Sequence, residues 1–155
     1  MLSLTCEYAI RALTFLATQN PESTTLSTQI SKEANIPSAY LSKILLILKD
    51  HGILDSLKGP GGGFFFIVEP TELTLKEVVA LFDPAITSDN NCIMGLEECG
   101  GDFPCPIHDI WGPFRDRFFK ILSSTSIATM AEDVKMKRAF LDDVATMRKR
   151  IHRVH

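Results

Sequence analysis

Apolar residues return at helical spacing several times along the first half of the chain. Leu4, Tyr8, Leu13, Leu16 and Ala17 fall near one face of a helix over residues 4–18. Ser3 or Thr5 is placed to cap it, and Gln19-Asn20-Pro21 to stop it. Glu7 and Arg11, four apart, are spaced to pair on the exposed side. From Thr25 to Gly52 the pattern becomes helix, tight turn, helix. Leu26, Ile30 and Ala34 mark the first helix, and Asn35-Ile36-Pro37-Ser38 the turn, with Ser38 expected as the next cap. Leu41, Ile44, Leu45 and Leu48 form the buried stripe of the second helix, which Gly52 ends. The character then changes. Ile53–Leu57 and Phe64–Val68 read as strands on either side of Lys58-Gly59-Pro60-Gly61-Gly62-Gly63, a hairpin with a glycine-rich tip. A short helix follows from Thr74 to Phe82, with Leu75, Val78, Val79 and Phe82 inward and Thr74 or Thr71 as cap; Asp83-Pro84 ends it.

The second half opens on a cysteine-bearing loop and returns to helix. Ile107, Ile110, Trp111, Phe114, Phe118, Ile121 and Leu122 form a wide apolar stripe, with Pro113 expected to kink or delay the helix. Ser123–Ser126 reads as a break, Thr129-x-x-Glu132 resembles a capping box, and Phe140, Val144, Met147 and Ile151 give the tail a weaker stripe. The fold class expected is mainly α with a small β-wing: a winged helix-turn-helix domain plus a long dimerisation helix. Its boundaries are a winged helix-turn-helix DNA-binding domain at 1–83, a cysteine-rich cluster-binding loop at 84–108, and a dimerisation helix with a C-terminal helical tail at 109–155.

Two short helices joined by a tight turn form a helix-turn-helix, whose second member meets base edges in the major groove. Here that helix would present Ser38, Ala39, Tyr40, Ser42 and Lys43 near its N-terminus. A hairpin directly after it is a wing. Gly59, Pro60, Gly61 and Gly62 would allow close backbone approach to double-stranded DNA, with Lys58 supplying charge for phosphate. A nucleotide-binding phosphate loop is disfavoured, because such a loop opens onto a helix and β-formers follow here. The stripe Ile110, Trp111, Phe114, Phe118, Ile121 and Leu122 wants a partner surface. A homodimer reading a palindrome would supply one.

Composition sharpens this picture modestly. The chain has 155 residues, 45% apolar, enough for one domain with an appendage. The net charge of −3 argues against nucleic acid only until its distribution is seen. Between Glu69 and Asp116 ten acids face two bases, whereas from Lys135 to the end seven bases face two acids. No apolar run approaches the ~18 residues of a membrane span. The N-terminal stretch, with Glu7 and Arg11 in its apolar pattern, does not read as a signal peptide, so a cytoplasmic protein is expected. No Ser/His/Asp set, paired carboxylates or cofactor fingerprint suggests an enzyme.

The remaining chemistry lies in Cys92–His108, which holds three of the four cysteines, Cys92, Cys99 and Cys105, with His108 three residues after the last. Soft thiolates suit iron–sulfur clusters, zinc or copper(I). Zinc knuckles favour short C-x2-C steps, while the wide gaps here better fit a cluster ligated from several sides. A disulfide would leave an odd cysteine. A cluster-free winged-helix regulator that responds through thiol oxidation or a partner protein remains the alternative, as does a small cluster-carrying redox protein that binds no DNA.

The order of N-terminal helix, helix-turn-helix with Tyr40-Leu41, wing Lys58-Gly-Pro-Gly-Gly-Gly63-Phe64, three cysteines, His108 and Trp111 resembles the winged-helix iron–sulfur transcription regulators of the IscR and NsrR type. The resemblance spans about residues 1–130. It implies a bacterial homodimeric repressor or activator, its long helix crossing the partner and its operator affinity set by cluster state: redox status, nitric oxide or iron–sulfur supply. By position, Cys92, Cys99 and Cys105 match the cluster cysteines, and His108 matches the histidine that completes a two-iron cluster. Glu7 matches the acidic fourth ligand of nitric-oxide-sensing relatives. His108 is favoured as the fourth ligand, and 2Fe-2S over 4Fe-4S. The Cys92–Cys99 gap is one residue longer than the family pattern, and Lys58 stands where many relatives carry arginine.

Overall fold

The computed structural model describes residues 2–88 and 104–151, with the backbone alone for Arg138 and residues 141–151. In chain order the elements are α1 (Leu4–Ala17), α2 (Ser27–Glu33), α3 (Ser38–Asp50), β1 (Leu54–Leu57), β2 (Gly63–Phe66), α4 (Leu75–Phe82), α5 (Pro84–Thr87), α6 (His108–Ser124) and α7 (Ile127–Ile151). This is a helical protein with one small antiparallel sheet, as the apolar spacing predicts.

Helix α1 is the centre of the packing, touching α2, α3, α4 and α7. Its buried side, Cys6, Ala9, Ala12, Leu13, Phe15 and Leu16, meets Ile30, Leu41, Ile44, Leu45, Leu48, Val78 and Val79 in one core. Ser3 caps α1, its hydroxyl accepting the Cys6 N–H. Helix α4 has the full reciprocal cap: Thr74 accepts the Glu77 N–H, and the Glu77 carboxylate accepts the Thr74 N–H. β1 and β2 pair from Leu54↔Phe66 to Leu57↔Gly63, and Thr25 adds a bridge to Phe64 on the other side of β2. Phe64 and Phe66 pack against the core.

The C-terminal helices are attached to this unit. Ile127 N–H donates to Leu73 O and Leu75 N–H to Thr125 O, which docks the α6–α7 junction on the entry to α4. Leu122, Ile127 and Ala131 are buried, the first two within the same core as α1.

Several local expectations differ from what is found. Ser38 is the first residue of α3, not its cap; Pro37 occupies the cap position and no side chain bonds there. The α7 cap is Ser126, whose hydroxyl accepts the Thr129 N–H, so the helix starts before the expected Thr129 box. Helix α6 runs through Pro113 rather than starting after it. A short α5 intervenes between Asp83 and the cysteine loop. Arg11 does not pair with Glu7. It reaches the backbone carbonyls of Ala34 and Asn35 instead.

Candidate functional site

The turn between α2 and α3 sets how the second helix is presented. Asn35 adopts φ 52°, a left-handed conformation that asparagine tolerates better than most residues. Arg11 donates to the Ala34 carbonyl and, at 2.9 Å, to that of Asn35, so α1 holds the turn directly. Tyr8 adds a second link: its ring meets Tyr40 edge-on at 6.0 Å and lies 5.5 Å from the Arg11 guanidinium. The start of α3 is thus braced against α1.

On the outward side of α3, Ser38, Ala39, Tyr40, Ser42 and Lys43 are all exposed, as expected. Leu46 joins them at 59% exposure, a position that sequence reading missed because leucine signals core. Lys49 is turned away toward β1, 2.7 Å from the Asp55 carboxylate and 2.9 Å from Ser56 Oγ. Its ammonium bond, followed by the Ser56 N–H, holds the Asp55 carboxyl below the ordinary carboxylate range.

The wing tip is closed by Gly62 N–H to Gly59 O at 2.9 Å and by the Thr24 hydroxyl to Gly61 O at 2.7 Å. Glycine is required at Gly62 and Gly63 by the chain itself. A Cβ on Gly62 would sit 2.4 Å from Leu57 O, and one on Gly63 would sit 2.6 Å from Thr25 O. Gly59, Pro60 and Gly61 are exposed, and a Cβ on Gly59 or Gly61 would meet nothing within 4 Å. Lys43 and Lys58 form no ion pair among the described residues, which leaves two exposed cations beside the tip and the α3 face.

Cys92 and Cys99 lie outside the described residues. Cys105 and His108 sit one turn apart at the mouth of α6, where His108 N–H donates to Cys105 O at 2.9 Å. The His108 ring lies over Gly112, whose Cβ would be 3.9 Å from ring atoms Cε1 and Nε2. A half-buried thiol and an imidazole are two donors of the kind a cluster takes, and among the described residues no group of three or more His, Cys, Asp or Glu is placed to hold a metal. Glu7 is exposed in the first turn of α1.

At the far end of α4, Asp83 connects α1 to the approach of the cysteine loop. Its carboxylate accepts the Ser3 N–H at 2.6 Å and interacts with the Cys6 thiol. Burial first, and then the Asp83 charge, push the Cys6 thiol up to about 12.

The expected dimer stripe splits between two faces. Ile110, Phe114 and Ile121 are exposed at 79%, 60% and 52%. Phe118 is half-buried against the chain's own core, and Leu122, at 4% exposure, lies inside it. Leu122 therefore belongs to the core of its own chain: the α6–α7 junction is tied down against α4, which turns this end of the stripe inward. Trp111 Nε1 and Arg115 Nε and Nη1 are buried with no acceptor among the described residues.

Residues 2–133 match the family model described as Rrf2, iron-dependent transcriptional regulator. The chain belongs to the Rrf2 family. Among its relatives, the HTH-type transcriptional regulator IscR of Photorhabdus laumondii is 29% identical over 126 residues, 81% of this chain and 76% of that protein. The structure of CymR, the global cysteine regulator of B. subtilis, superposes with TM-score 0.72 at 22% identity, over 85% of this chain and 96% of CymR. That of T. potens IscR gives 0.67 at 19% identity, covering 86% and 88%. This Rrf2 protein is accordingly a winged-helix transcriptional regulator that acts on DNA, a class without enzymatic activity. Among the described residues no helix is long and apolar enough to cross a membrane.

Proposed function

We propose that this Rrf2 regulator works in the cytoplasm as a homodimer, binding palindromic operator DNA with an affinity gated by an iron–sulfur cluster on Cys92, Cys99, Cys105 and His108. Ser38, Ala39, Tyr40, Ser42 and Lys43 read the major groove, and Lys58 to Gly62 meet the backbone. The observation that carries the DNA contacts is the pair of exposed cations, Lys43 and Lys58, without an ion pair among the described residues, beside a wing tip that is open space around Gly59 and Gly61.

The dimer reading rests on α6. Ile107, Ile110, Trp111 and Phe114 line an apolar recess of about 310 Å³. Ile110 and Phe114 are the most exposed apolar side chains of this face. A second copy supplies the apolar cover. Phe114→Asp should therefore leave the folded core intact while weakening the dimer in light scattering; an unchanged dimer constant would contradict this.

The cluster, when bound, supplies a cross-link among thiolates whose integrity depends on iron, oxidants and nitric oxide. The chain's own residues carry the consequence. Asp83 holds Ser3 and Cys6 at the start of α1; Tyr8 and Arg11 on the same helix hold Tyr40 and the α2–α3 turn. A displacement at the loop would move α1 and, through it, the separation of the two recognition helices. The second reading, thiol sensing without a cluster, draws on the likeness to CymR.

One preparation tests both. Protein purified without oxygen is examined by visible absorption and by iron and sulfide analysis, then by DNA retention before and after iron removal. Colour with acid-labile sulfide, and DNA affinity that Cys99→Ala renders insensitive to iron, are expected. A protein still colourless after reconstitution, with affinity responding to thiol oxidants, would establish the second reading instead.

A further inference from the structure

We infer that Leu46 is a base-reading residue, contacting the C5 methyl of a thymine in the major groove. The inference rests on the DNA-binding reading above and adds a sequence preference to it. At about 100° per residue, Ala39, Ser42, Lys43 and Leu46 fall within roughly 100° of arc on α3. Leu41, Ile44, Leu45 and Leu48, none more than 1% exposed, occupy the opposite side. Leu46 stands near the middle of the outward arc, one turn beyond Ser42 and Lys43.

Among the described residues the core makes no use of this side chain. It is absent from the core cluster and from the half-buried residues packed on it. Lys49, whose stem could otherwise lie over it, is pinned to Asp55 and Ser56 on β1. The polar readout on this face is also thinner than its composition suggests. The Ser42 hydroxyl donates back to Ser38 O at 2.9 Å, which commits its proton to the helix. Lys43 is then the principal donor, and Ala39 and Leu46 are the principal apolar surfaces. In the major groove the only apolar feature that distinguishes one base from another is the thymine methyl. Asp50, exposed at the end of α3, opposes phosphate approach beyond this point, so Leu46 is the last outward position suited to the groove.

The experiment uses the full chain and a random-sequence duplex library. After selection, each thymine of the recovered half-site is replaced in turn by deoxyuridine, which removes the methyl alone. Wild type should lose affinity about fourfold at one thymine, the worth of one buried methyl. Leu46→Ala should be indifferent there while keeping wild-type melting and its response to Lys43→Ala. Leu46→Asn, reselected, should exchange that thymine for adenine. If wild type and Leu46→Ala show the same methyl dependence at every position, the inference is wrong while DNA binding stands. If no sequence is enriched at all, both readings fall.

Discussion

Replacing Gly63 by alanine should cost far more than the same change two residues earlier. The added Cβ would lie 2.6 Å from Thr25 O, 2.7 Å from Thr25 C and 2.9 Å from Thr25 N. All three are backbone atoms, so no rotamer change can relieve the clash. Strand β2 would have to leave Thr25, giving up the Thr25 N–H to Phe64 O and Phe64 N–H to Thr25 O bonds at 2.9 and 2.8 Å. Each such bond contributes about 1 kcal/mol net. The φ of 151° adds roughly 1–2 kcal/mol for a residue with a side chain. Together these give about 3–4 kcal/mol, a large share of the ~5–15 kcal/mol that holds an ordinary domain together. Gly61→Ala meets nothing within 4 Å at φ 75° and should cost only the conformational part, about 1–2 kcal/mol. Urea unfolding followed by circular dichroism would read both as midpoint shifts at unchanged slope. Thr25→Gly should not rescue Gly63→Ala, because the offending atoms remain. A rescue, or equal costs at Gly61 and Gly63, would refute the reasoning.

Three further outcomes follow from the same geometry. Cys6, fully buried with its thiol pushed up to about 12, should resist iodoacetamide in the folded protein at about pH 8 and react once urea is added, as peptide mass spectrometry would show. Arg11→Met removes the Nη2 that donates to both carbonyls, so it should speed amide exchange in the α2–α3 turn and weaken DNA retention several-fold; unchanged exchange would remove Arg11 from the coupling. Asp55 has its carboxyl held low by Lys49, so its small contribution is present above the ordinary carboxylate range and disappears as pH falls through its folded value. The melting difference between wild type and Asp55→Asn should shrink in acid and persist at neutral pH.

What the sequence carries plainly is whatever depends on near neighbours. Leu41, Ile44, Leu45 and Leu48 recur at helical spacing and are all buried, and the Thr74–Glu77 cap needs only three residues to declare itself. Cys105 and His108 are one helical turn apart by spacing alone. Arg11 is different. Glu7 stands at the right interval to claim it, yet its partners lie more than twenty residues away in a turn whose position only the folded core determines. Asp83 likewise meets Ser3 across a separation of 80 residues. On α6 the apolar stripe is wide enough to serve two surfaces. Periodicity cannot say that Leu122 turns inward while Ile110 and Phe114 remain outside, because that is decided by the hydrogen bonds docking the α6–α7 junction on α4. Leu46 went unassigned for the opposite reason: its side-chain chemistry suggests burial, while its position on the helix dictates exposure.

The two candidate fourth ligands would pull on different parts of this frame. Glu7 is on α1, one residue from Tyr8, which meets Tyr40, and from Cys6, which meets Asp83. Ligation there would act on the recognition helix through a single rigid element. His108 opens α6, which reaches the same core through its other end, at Leu122 and the Thr125–Leu75 bond. Its influence therefore reaches α1 only through α4 or α7, at second hand. Glu7→Gln and His108→Ala consequently differ in more than colour. If Glu7 is the ligand, Glu7→Gln changes both the visible spectrum and amide exchange around Asn35. If His108 is the ligand, His108→Ala alters the spectrum, and Glu7→Gln leaves the spectrum and the Asn35 turn as they were. A spectrum that responds to His108→Ala together with a turn that responds only to Glu7→Gln would break the link from ligation to recognition helix that this frame provides.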